Sequence, residues 1–386
     1  MTKLIRITTV PISLKYLITG QMKYMAKNGF EVTMMSADGP EITEVIEQEG
    51  VPHIKIPLTR KITPLQDLKA LWILYRQLSR IKPEIVHTHT PKAGIIGMLA
   101  AWLARVPIRL HTVAGLPLQT TTGNKRKLLE WIETITYAFA TGVWPNSQSL
   151  YNFIIENKFA KKEKLHIIGS GSSNGISIDE FNPETLDQKT LSDISKSIDY
   201  NPQNKYLLFV GRVVRDKGIE ELVLVFEELQ KKYANLKLVI VGPLENDLDP
   251  LSLGTTESIA KNESIITTGF SKEVKYFMHL ADLFIFPSHR EGFPNVPMQA
   301  GLMSCPVVAS RITGNIDLIN HMETGLLHEK ADIVTLKKEL EFAINHPEKM
   351  QELSFNFKVV IKNTFARKKM QKLIFNEYQK LLTANA

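Results

Sequence analysis

The chain has 386 residues, more than one hydrophobic core usually supports, so we expect two domains. With 44% hydrophobic and 23% charged residues it is neither disordered nor membrane-embedded, and its longest nearly apolar run, residues 93–104, is too short to span a bilayer. A single cysteine, Cys305, excludes an internal disulfide framework, and the first residues lack the apolar stretch of a secretion signal. We therefore expect a cytoplasmic protein.

Basic residues are concentrated in the front of the chain. Residues 1–172 carry 22 Lys and Arg against 12 Asp and Glu, a net charge of +10, whereas residues 173–386 carry 25 against 28, a net charge of −3. This asymmetry indicates an anionic membrane surface or a phosphorylated substrate, although solubility alone would also explain it. We expect no nucleic acid partner, because no basic block interleaved with aromatic residues is present.

Short apolar runs alternate with amphipathic helical stretches, which is typical of parallel sheets covered by helices. The predicted strands of the front half are residues 4–8, 31–35, 54–56, 85–88, 108–112, 142–144 and 165–168. The clearest helix spans residues 64–81, with Pro64 in its first turn and Lys82-Pro83 after its end. Its predicted apolar face contains Leu65, Leu68, Leu71, Trp72, Tyr75 and Leu78.

Residues 184–204 lack apolar periodicity and are predicted to be a linker. Beyond it we predict strands at residues 206–210, 236–241, 265–268, 283–286, 307–309 and 325–327, and helices such as 218–233. The sequence thus predicts an α/β protein with two doubly wound Rossmann-like domains, residues 1–185 and 186–365, facing each other across a cleft. The C-terminal segment, about residues 366–386, is predicted to be a helix that packs back on the first domain.

A glycine and two cations lie around the end of the predicted strand 206–210. Gly211 and Arg212 directly follow the strand, and Lys217 precedes Gly218 at the start of a helix. Glycine permits close approach of a ligand, and the cations and the helix N-terminus attract negative charge. The segment therefore indicates a diphosphate site, the alternative being an ordinary strand-to-helix turn with solvated basic residues.

A second strand, loop and helix segment covers residues 286–300, with Glu291 in the loop and Gln299 eight residues later. Together with the first motif and residues 313–325, it resembles the donor site of the family 4 glycosyltransferases, which have the GT-B fold. Residues 85–94, 109–117 and 169–175 are similar to the branch that elongates polyprenyl-diphosphate-linked glycans for bacterial surface polysaccharides, such as capsule and exopolysaccharide.

The resemblance implies a retaining, metal-independent hexosyltransferase without a cofactor, which moves a sugar from a UDP-sugar donor to a polyprenyl-diphosphate-linked sugar. Arg212 and Lys217 would bind the donor diphosphate, and Glu291 would contact the donor sugar. The backbone near sugar and phosphate would be that of Gly292, Phe293, Pro294, Asn295 and Val296. Gln299 replaces the family's second glutamate, so its bond to the ribose would be weaker.

Three residues of the front half are candidates for the acceptor side: His89, Lys92 and His111. His87 and His89 share a strand face, but no third metal ligand of suitable spacing follows, so we expect no metal. Lys92 opens a helix that could receive an acceptor phosphate, or it is simply exposed to solvent. Many family members carry a histidine where Ala114 stands, and His111 is expected to be a strand histidine packed near the cleft.

Two other motifs are given no chemical role. Residues 169–175 resemble a dinucleotide fingerprint, but no helix of normal length follows, so a cleft-lining turn is the better interpretation. Asp247 and Asp249 are similar to a metal-binding acidic pair, but they lie far from any glycine loop and are interpreted as a surface pair.

Residues 125–127, Lys-Arg-Lys, precede an apolar helical stretch, which predicts peripheral association with the inner face of the cytoplasmic membrane. The apolar residues concerned are Leu128, Leu129, Trp131, Ile132 and Ile135. In the alternative interpretation they belong to the core. Two alternatives to a transferase also stay open: a sugar-nucleotide epimerase, and a catalytically weakened binding subunit suggested by Gln299 and Ala114.

Overall fold

The computed structural model describes residues 1–119, 121–245 and 249–385. The strands are β1 (Thr2–Ile7), β2 (Phe30–Ser36), β3 (His53–Lys55), β4 (Ile85–His89), β5 (Ile108–Val113), β6 (Gly142–Pro145), β7 (Lys205–Val210), β8 (Leu236–Val241), β9 (Ile265–Gly269), β10 (Leu283–Phe286), β11 (Val307–Ser310) and β12 (Leu326–His328).

The helices alternate with these strands and cover them. They are α1 (Pro11–Leu17), α2 (Gln21–Lys27), α3 (Ile42–Glu49), α4 (Pro64–Ile81), α5 (Pro91–Leu103), α6 (Gly123–Phe139), α7 (Gln148–Glu156), α8 (Gln188–Ser197), α9 (Ile219–Gln230), α10 (Leu253–Lys261), α11 (Val274–Leu280), α12 (Asn295–Leu302), α13 (Asn315–Leu318), α14 (Ile333–Asn345), α15 (Pro347–Thr364) and α16 (Arg367–Ala384).

The chain forms two compact units. Unit 1 contains Met1–Gly175 and the chain from Arg367 onward, whereas unit 2 contains Ile176–Ala366. The first boundary lies ten residues before the predicted one, since 185 − 175 = 10. Helix α16 returns to unit 1, where Met370, Ile374 and Tyr378 are buried in its core.

Each unit has one parallel sheet, which confirms the predicted α/β class. Within the described residues the strand orders are β3-β2-β1-β4-β5-β6 in unit 1 and β12-β11-β10-β7-β8-β9 in unit 2. The strand order therefore reverses between β1 and β4 and between β7 and β10. In such sheets ligands bind beyond the carboxyl ends of the strands at the point of reversal.

Two predicted elements need correction. The predicted strand at residues 165–168 is wrong, because only Leu165 forms a single bridge, to Val143, before the chain turns at Gly169. The predicted linker contains α8. The Asp187 side chain accepts a bond from the Thr190 amide at 2.7 Å, and Leu191 and Ile194 pack against the core of unit 2, so this polar segment is helical.

Helix α4 has the predicted bounds, but only part of its predicted apolar face packs on the core of unit 1: Leu78 is buried and Leu71 is half-buried, whereas the other members of that face are exposed. Ala70, Leu74 and Leu78 are fully buried. The exposed fractions of the outer apolar residues are 87% for Leu65, 65% for Leu68, 56% for Trp72 and 39% for Tyr75. The buried Ala70 and Leu74 lie outside the predicted face, because period alone does not show which side of an apolar helix meets the core.

Candidate active site

The two motifs of unit 2 meet at the point of strand reversal in its sheet. Gly211 and Arg212 follow β7, and residues 287–291 follow β10, its neighbour in the sheet. Parallel pairing aligns the carboxyl ends of the two strands, so segments about 75 residues apart in sequence come together. This is the place where a doubly wound sheet binds its ligand.

Lys217 and Glu291 form an ion pair at this edge. Ser288 donates a hydrogen bond to Glu291 Oε1 at 2.8 Å, and Lys217 Nζ lies 3.4 Å from Ser288 Oγ. The side chains of Lys217 and Glu291 are only 14% and 16% exposed, so the pair is held in a fixed geometry with little solvent. Ser288 lies within the second motif, but the sequence does not predict its contact with either residue.

Two glycines allow the loops of the site to approach each other. Gly218 has a φ of +71°, and a Cβ there would lie 2.2 Å from the carbonyl oxygen of Pro287. Gly314 has a φ of +83°, and a Cβ there would lie 2.3 Å from the carbonyl oxygen of Gly292. The first contact joins the two motifs, and the second packs residues 313–317 against the loop of Glu291.

Arg212 is the more exposed of the two predicted diphosphate ligands. Its Nη1 donates to Glu245 Oε2 at 3.0 Å, and the Arg212 and Glu245 side chains are 44% and 31% exposed. Glu245 was not predicted as a site residue, because nothing in the sequence pairs it with Arg212. The Glu245 carboxylate accepts a hydrogen bond from the Arg212 guanidinium, as a phosphate oxygen would.

The turn before α9 is held from two sides. The Asp216 amide donates to Asp249 Oδ2 at 2.6 Å, so Asp249 is a structural acceptor rather than the interpreted surface acid. Its predicted partner Asp247 lies outside the described residues. Arg290 Nη2 donates to Asp216 Oδ2 at 3.1 Å, which links this turn to the loop of Glu291.

His289 and Glu221 form a second polar contact beside the turn, with His289 Nε2 2.9 Å from Glu221 Oε1. Burial opposes ionisation of Glu221, but the hydrogen bond with His289, a hydrogen bond from the Glu221 backbone amide and the nearby histidines His289 and His328 together outweigh it and lower the pKa of the carboxyl. A charged Glu221 in the first turn of α9 is compatible with the positive end of that helix.

The remaining predicted donor residues form the loop and first turns of α12. Gly292, Phe293 and Pro294 are buried, whereas Asn295, Val296 and Gln299 are half-buried. Asn295 begins α12, so the backbone amides of this turn lie at a helix N-terminus. Gln299 lies one turn farther along the same helix.

In unit 1, His89 belongs to a buried polar network at the reversal between β1 and β4. Arg6 Nη2 lies 2.8 Å from His89 Nε2, and Arg6 Nη1 donates to the Tyr378 hydroxyl at 2.7 Å. His87 Nδ1 lies 2.6 Å from the same hydroxyl, and Gln21 accepts a bond from Arg6 at 2.6 Å. Burial, together with the neighbouring Arg6 charge, lowers the pKa of both histidines well below the usual value, so both are neutral.

The network contains residues that the sequence analysis missed. Arg6, Gln21 and Tyr378 come from β1, α2 and α16, and only the folded chain brings them to His87 and His89. Within the described chain no carboxylate forms an ion pair with Arg6, which is fully buried. A signal was present in the sequence, because a charged residue inside the apolar strand β1 requires buried partners.

His111 and Lys92 do not join this network. His111 is buried under α5, its Nδ1 lies 2.8 Å from Thr88 Oγ1, and burial lowers its pKa to about 4. Lys92 forms an ion pair with Asp67 at 2.7 Å and also donates to the Lys61 carbonyl. The expectation of a packed strand histidine agrees with this position of His111, and Lys92 is held by the loop before α4.

The predicted membrane-facing segment of α6 is divided between solvent and core. Leu128 and Trp131 are 44% and 62% exposed, whereas Leu129 packs against the core of unit 1. Arg126 is paired with Glu130 at 2.7 Å, which reduces the local positive charge. Among the residues that the structure describes, no helix is both long and apolar enough to cross a bilayer. No cluster of His, Cys, Asp or Glu suited to a metal ion occurs in that same part of the chain.

Comparisons with known proteins agree with this architecture. Residues 192–359 match the model of the glycosyl transferases group 1, and residues 17–171 match a glycosyl transferase 4-like domain. The capsular polysaccharide biosynthesis glycosyltransferase CapM of Staphylococcus aureus is 33% identical over 94% of this chain and 93% of its own length.

Two further proteins are similar over most of the chain. The UDP-Gal:alpha-D-GlcNAc-diphosphoundecaprenol alpha-1,3-galactosyltransferase of Escherichia coli is 27% identical, over 81% of this chain and 80% of its own. The crystal structure of HepE of Anabaena in complex with UDP-glucose superposes with a TM-score of 0.80 at 16% identity, covering 98% of this chain and 100% of that one.

The two doubly wound sheets, with paired motifs at the reversal of the second, define a glycosyltransferase with the GT-B fold. Within that class the chain belongs to the family 4 glycosyltransferases, beside the capsular enzyme of Staphylococcus aureus. The predicted family, fold class and enzyme class are thereby confirmed, and the epimerase alternative receives no support from these comparisons.

Proposed function

We propose that this glycosyltransferase transfers a hexose, with retention of configuration, from a UDP-sugar to a polyprenyl-diphosphate-linked sugar in surface-polysaccharide synthesis. The observation that best supports donor binding is the partly buried ion pair of Lys217 and Glu291 beside Arg212. It supplies a cation for phosphate and a carboxylate for sugar hydroxyls at the ligand-binding edge of the sheet.

The Escherichia coli relative supports the two substrates. Its name specifies a UDP-linked donor, an undecaprenol diphosphate acceptor and an alpha-linked product. An α-linked UDP-hexose gives an α-linked product only when configuration is retained. The identity between the chains, 27% over 80% of that relative, extends across both units and not only the donor motifs.

The chemical step breaks the bond between the sugar C1 and the β-phosphate oxygen. The acceptor hydroxyl forms the new bond to C1 on the same face, and its proton passes to the departing phosphate oxygen. Negative charge therefore grows on the UDP as the bond breaks. Arg212, Lys217 and the amides at the start of α12 stabilise that charge more in the transition state than in the ground state.

Glu291 has a separate role in this proposal. Its carboxylate, positioned by Ser288 and Lys217, accepts hydrogen bonds from hydroxyls of the donor sugar. The ion pair also offsets the cost of placing a cation in this partly buried site before the donor arrives. The site is thus preorganised for the donor.

The test uses purified protein, a panel of UDP-sugars and a polyprenyl-diphosphate sugar, with release of UDP and the mass of the lipid product as readouts. We expect Arg212→Ala and Lys217→Ala each to lower turnover about a hundredfold or more, because each removes a charge from the leaving diphosphate. The double variant should lose less than the product of the two effects if both contact one diphosphate.

Arg215→Ala is the matched control, since Arg215 lies in the same turn and its side chain is 54% exposed beside Glu220. We expect its turnover to stay within about threefold of the unchanged protein. Near-normal turnover of Arg212→Ala or Lys217→Ala would refute the diphosphate assignment. Binding of UDP without any product from the whole panel would instead favour the weakened binding subunit.

We also propose that the protein works at the inner face of the cytoplasmic membrane. A polyprenyl acceptor is anchored there, and the charge of +10 on residues 1–172 is attracted to anionic headgroups. Unit 1 would therefore approach the bilayer as a peripheral protein.

A further inference from the structure

Four large apolar side chains exposed on unit 1 form a continuous strip on α4. Leu65, Leu68, Trp72 and Tyr75 are spaced by three, four and three residues, so they follow one side of the helix. Between them and Leu103 at the end of α5 lies an apolar groove. Exposed strips of this kind mark surfaces that contact a partner or a membrane.

The groove continues into a basic pocket at the ends of α4 and α5. Tyr75 and Leu103 line both, and the second pocket adds Lys82 and Arg105, which are exposed. The acidic residue that lines this second pocket, Glu84, accepts a hydrogen bond from the Lys3 backbone amide at 2.7 Å.

Further cations flank the strip along α4 itself. Lys69 and Arg76 are exposed, and the Arg76 guanidinium lies 4.8 Å from the centre of the Trp72 ring. Asp67, the acid of α4, is neutralised by Lys92. Among the described residues, no ion pair includes Lys69, Arg76, Lys82 or Arg105.

This distribution of charge favours an anionic bilayer over a second copy of the chain as the partner of the strip. A second copy of the chain, docked by the same strip, would bring Lys69 and Arg76 toward the identical cations of the first copy, which is unfavourable. An anionic bilayer offers an apolar interior for leucine and tryptophan, and phosphates for the flanking cations. Tryptophan and tyrosine also favour the headgroup level of a bilayer.

We infer that the α4 strip and its basic rim, Lys69, Arg76, Lys82 and Arg105, are the surface by which unit 1 docks on an anionic phospholipid bilayer. This surface rests on the proposed function at the membrane and specifies where unit 1 makes the contact. It lies on α4 rather than on the predicted segment of α6. Helix α5 lies between the two helices, so they are about two helix diameters apart.

The experiment is co-sedimentation of the full chain with vesicles of phosphatidylcholine alone or with increasing phosphatidylglycerol, without any donor or acceptor. We expect binding to rise with phosphatidylglycerol and to weaken with salt. Leu68→Ser combined with Trp72→Ser should lower vesicle binding about tenfold or more, because it removes two inserted side chains. Lys69→Glu combined with Arg76→Glu should lower it by a similar factor on anionic vesicles only.

The matched control is Leu128→Ser combined with Trp131→Ser, the same residue types on α6. We expect this variant to bind vesicles as the unchanged protein does. Loss of binding in the α6 variant but not in the α4 variant would overturn the assignment. All four residues are exposed, so unchanged thermal unfolding of each variant is expected and verifies that the fold is intact.

A spectroscopic readout tests insertion directly. A variant with Trp102→Phe and Trp131→Phe retains Trp72 and the buried Trp144, so brominated lipid should quench only Trp72. An absence of quenching, or a dimer in solution that the α4 variant abolishes, would refute bilayer docking. The α4 variant should transfer sugar to a water-soluble acceptor as well as the unchanged protein does. If the unchanged protein transfers no sugar to this acceptor, that result counts against the proposed function alone and not against the docking surface.

Discussion

At the scale of single residues, Lys217 and Glu291 show how the donor site is prepared. Each is mostly buried, and either one alone would carry an unpaired charge in a poorly solvated place. Arg212 differs, because its exposed guanidinium can exchange the Glu245 carboxylate for a phosphate at little cost. We therefore expect Arg212 to move on donor binding and Lys217 to stay in place.

Gln299 provides a test of the nucleotide end of the site. Gln299→Glu should tighten UDP binding by about 1 kcal/mol, roughly fivefold in Kd, because a carboxylate accepts ribose hydroxyl bonds more strongly than an amide. Isothermal titration with UDP measures the change. Gln351→Glu, on the exposed surface of α15, is the control and should leave Kd unchanged. An equal Kd for Gln299→Glu would mean that this residue does not contact the nucleotide.

The site was predictable from sequence only in part. Gly211, Arg212 and Lys217 stand at a strand end, so local pattern was enough to indicate phosphate, whereas the role of Glu291 came from the family resemblance. The contacts of Ser288 and Glu245 depend on side-chain packing across loops distant in sequence, which no spacing encodes. Roles on the acceptor side stay predictions for the same reason.

At the scale of elements, buried parallel strands were the easiest to predict. β7 is buried at five of its six positions, and such short, nearly uninterrupted apolar runs are recognisable without context. α8 was missed because its residues are mostly polar and its helical start depends on the Asp187 cap. The exposed side of α4 could not be foreseen, since sequence period does not show which face packs on the core.

Helix α6 contains a buried acid that should make stability depend on pH. Glu133 is 4% exposed, and burial raises its pKa to about 7. A carboxyl with a raised folded-state pKa stabilises the fold fully below its unfolded value, and this contribution is lost as pH rises through about 7. Glu133→Gln should therefore be more stable than the unchanged protein at pH ~8, by about 2–3 kcal/mol, and nearly equal at pH ~4.

Thermal unfolding of both proteins across this pH range measures the difference. Glu130→Gln, one turn away on a less buried side of α6, should show no comparable pH-dependent gain. A constant difference between Glu133→Gln and the unchanged protein at all pH values would contradict a titrating Glu133.

At the scale of the whole molecule, the hydrophobic clusters are confined to single units. The clusters around β1 and β4 contain residues of unit 1 alone, including Tyr378 from α16, and those around β7 and β10 contain residues of unit 2 alone. Each unit thus buries its own apolar surface, so we expect the two units to respond separately to core substitutions.

Two tyrosines test this separation as a matched pair. Tyr378→Phe removes the hydroxyl that binds Arg6 and His87 in unit 1, and Tyr206→Phe removes the hydroxyl that accepts from the Asn201 amide at 2.8 Å in unit 2. Tyr378→Phe should cost about 1–3 kcal/mol, because the buried Arg6 and His87 lose a hydrogen-bond partner, and Tyr206→Phe about 1 kcal/mol, because water can replace the hydroxyl at the exposed Asn201. Hydrogen exchange followed peptide by peptide should rise in β1, β4 and α16 for Tyr378→Phe, and only in unit 2 for Tyr206→Phe. Equal acceleration of exchange in both units by either variant would mean that the chain unfolds as one cooperative body.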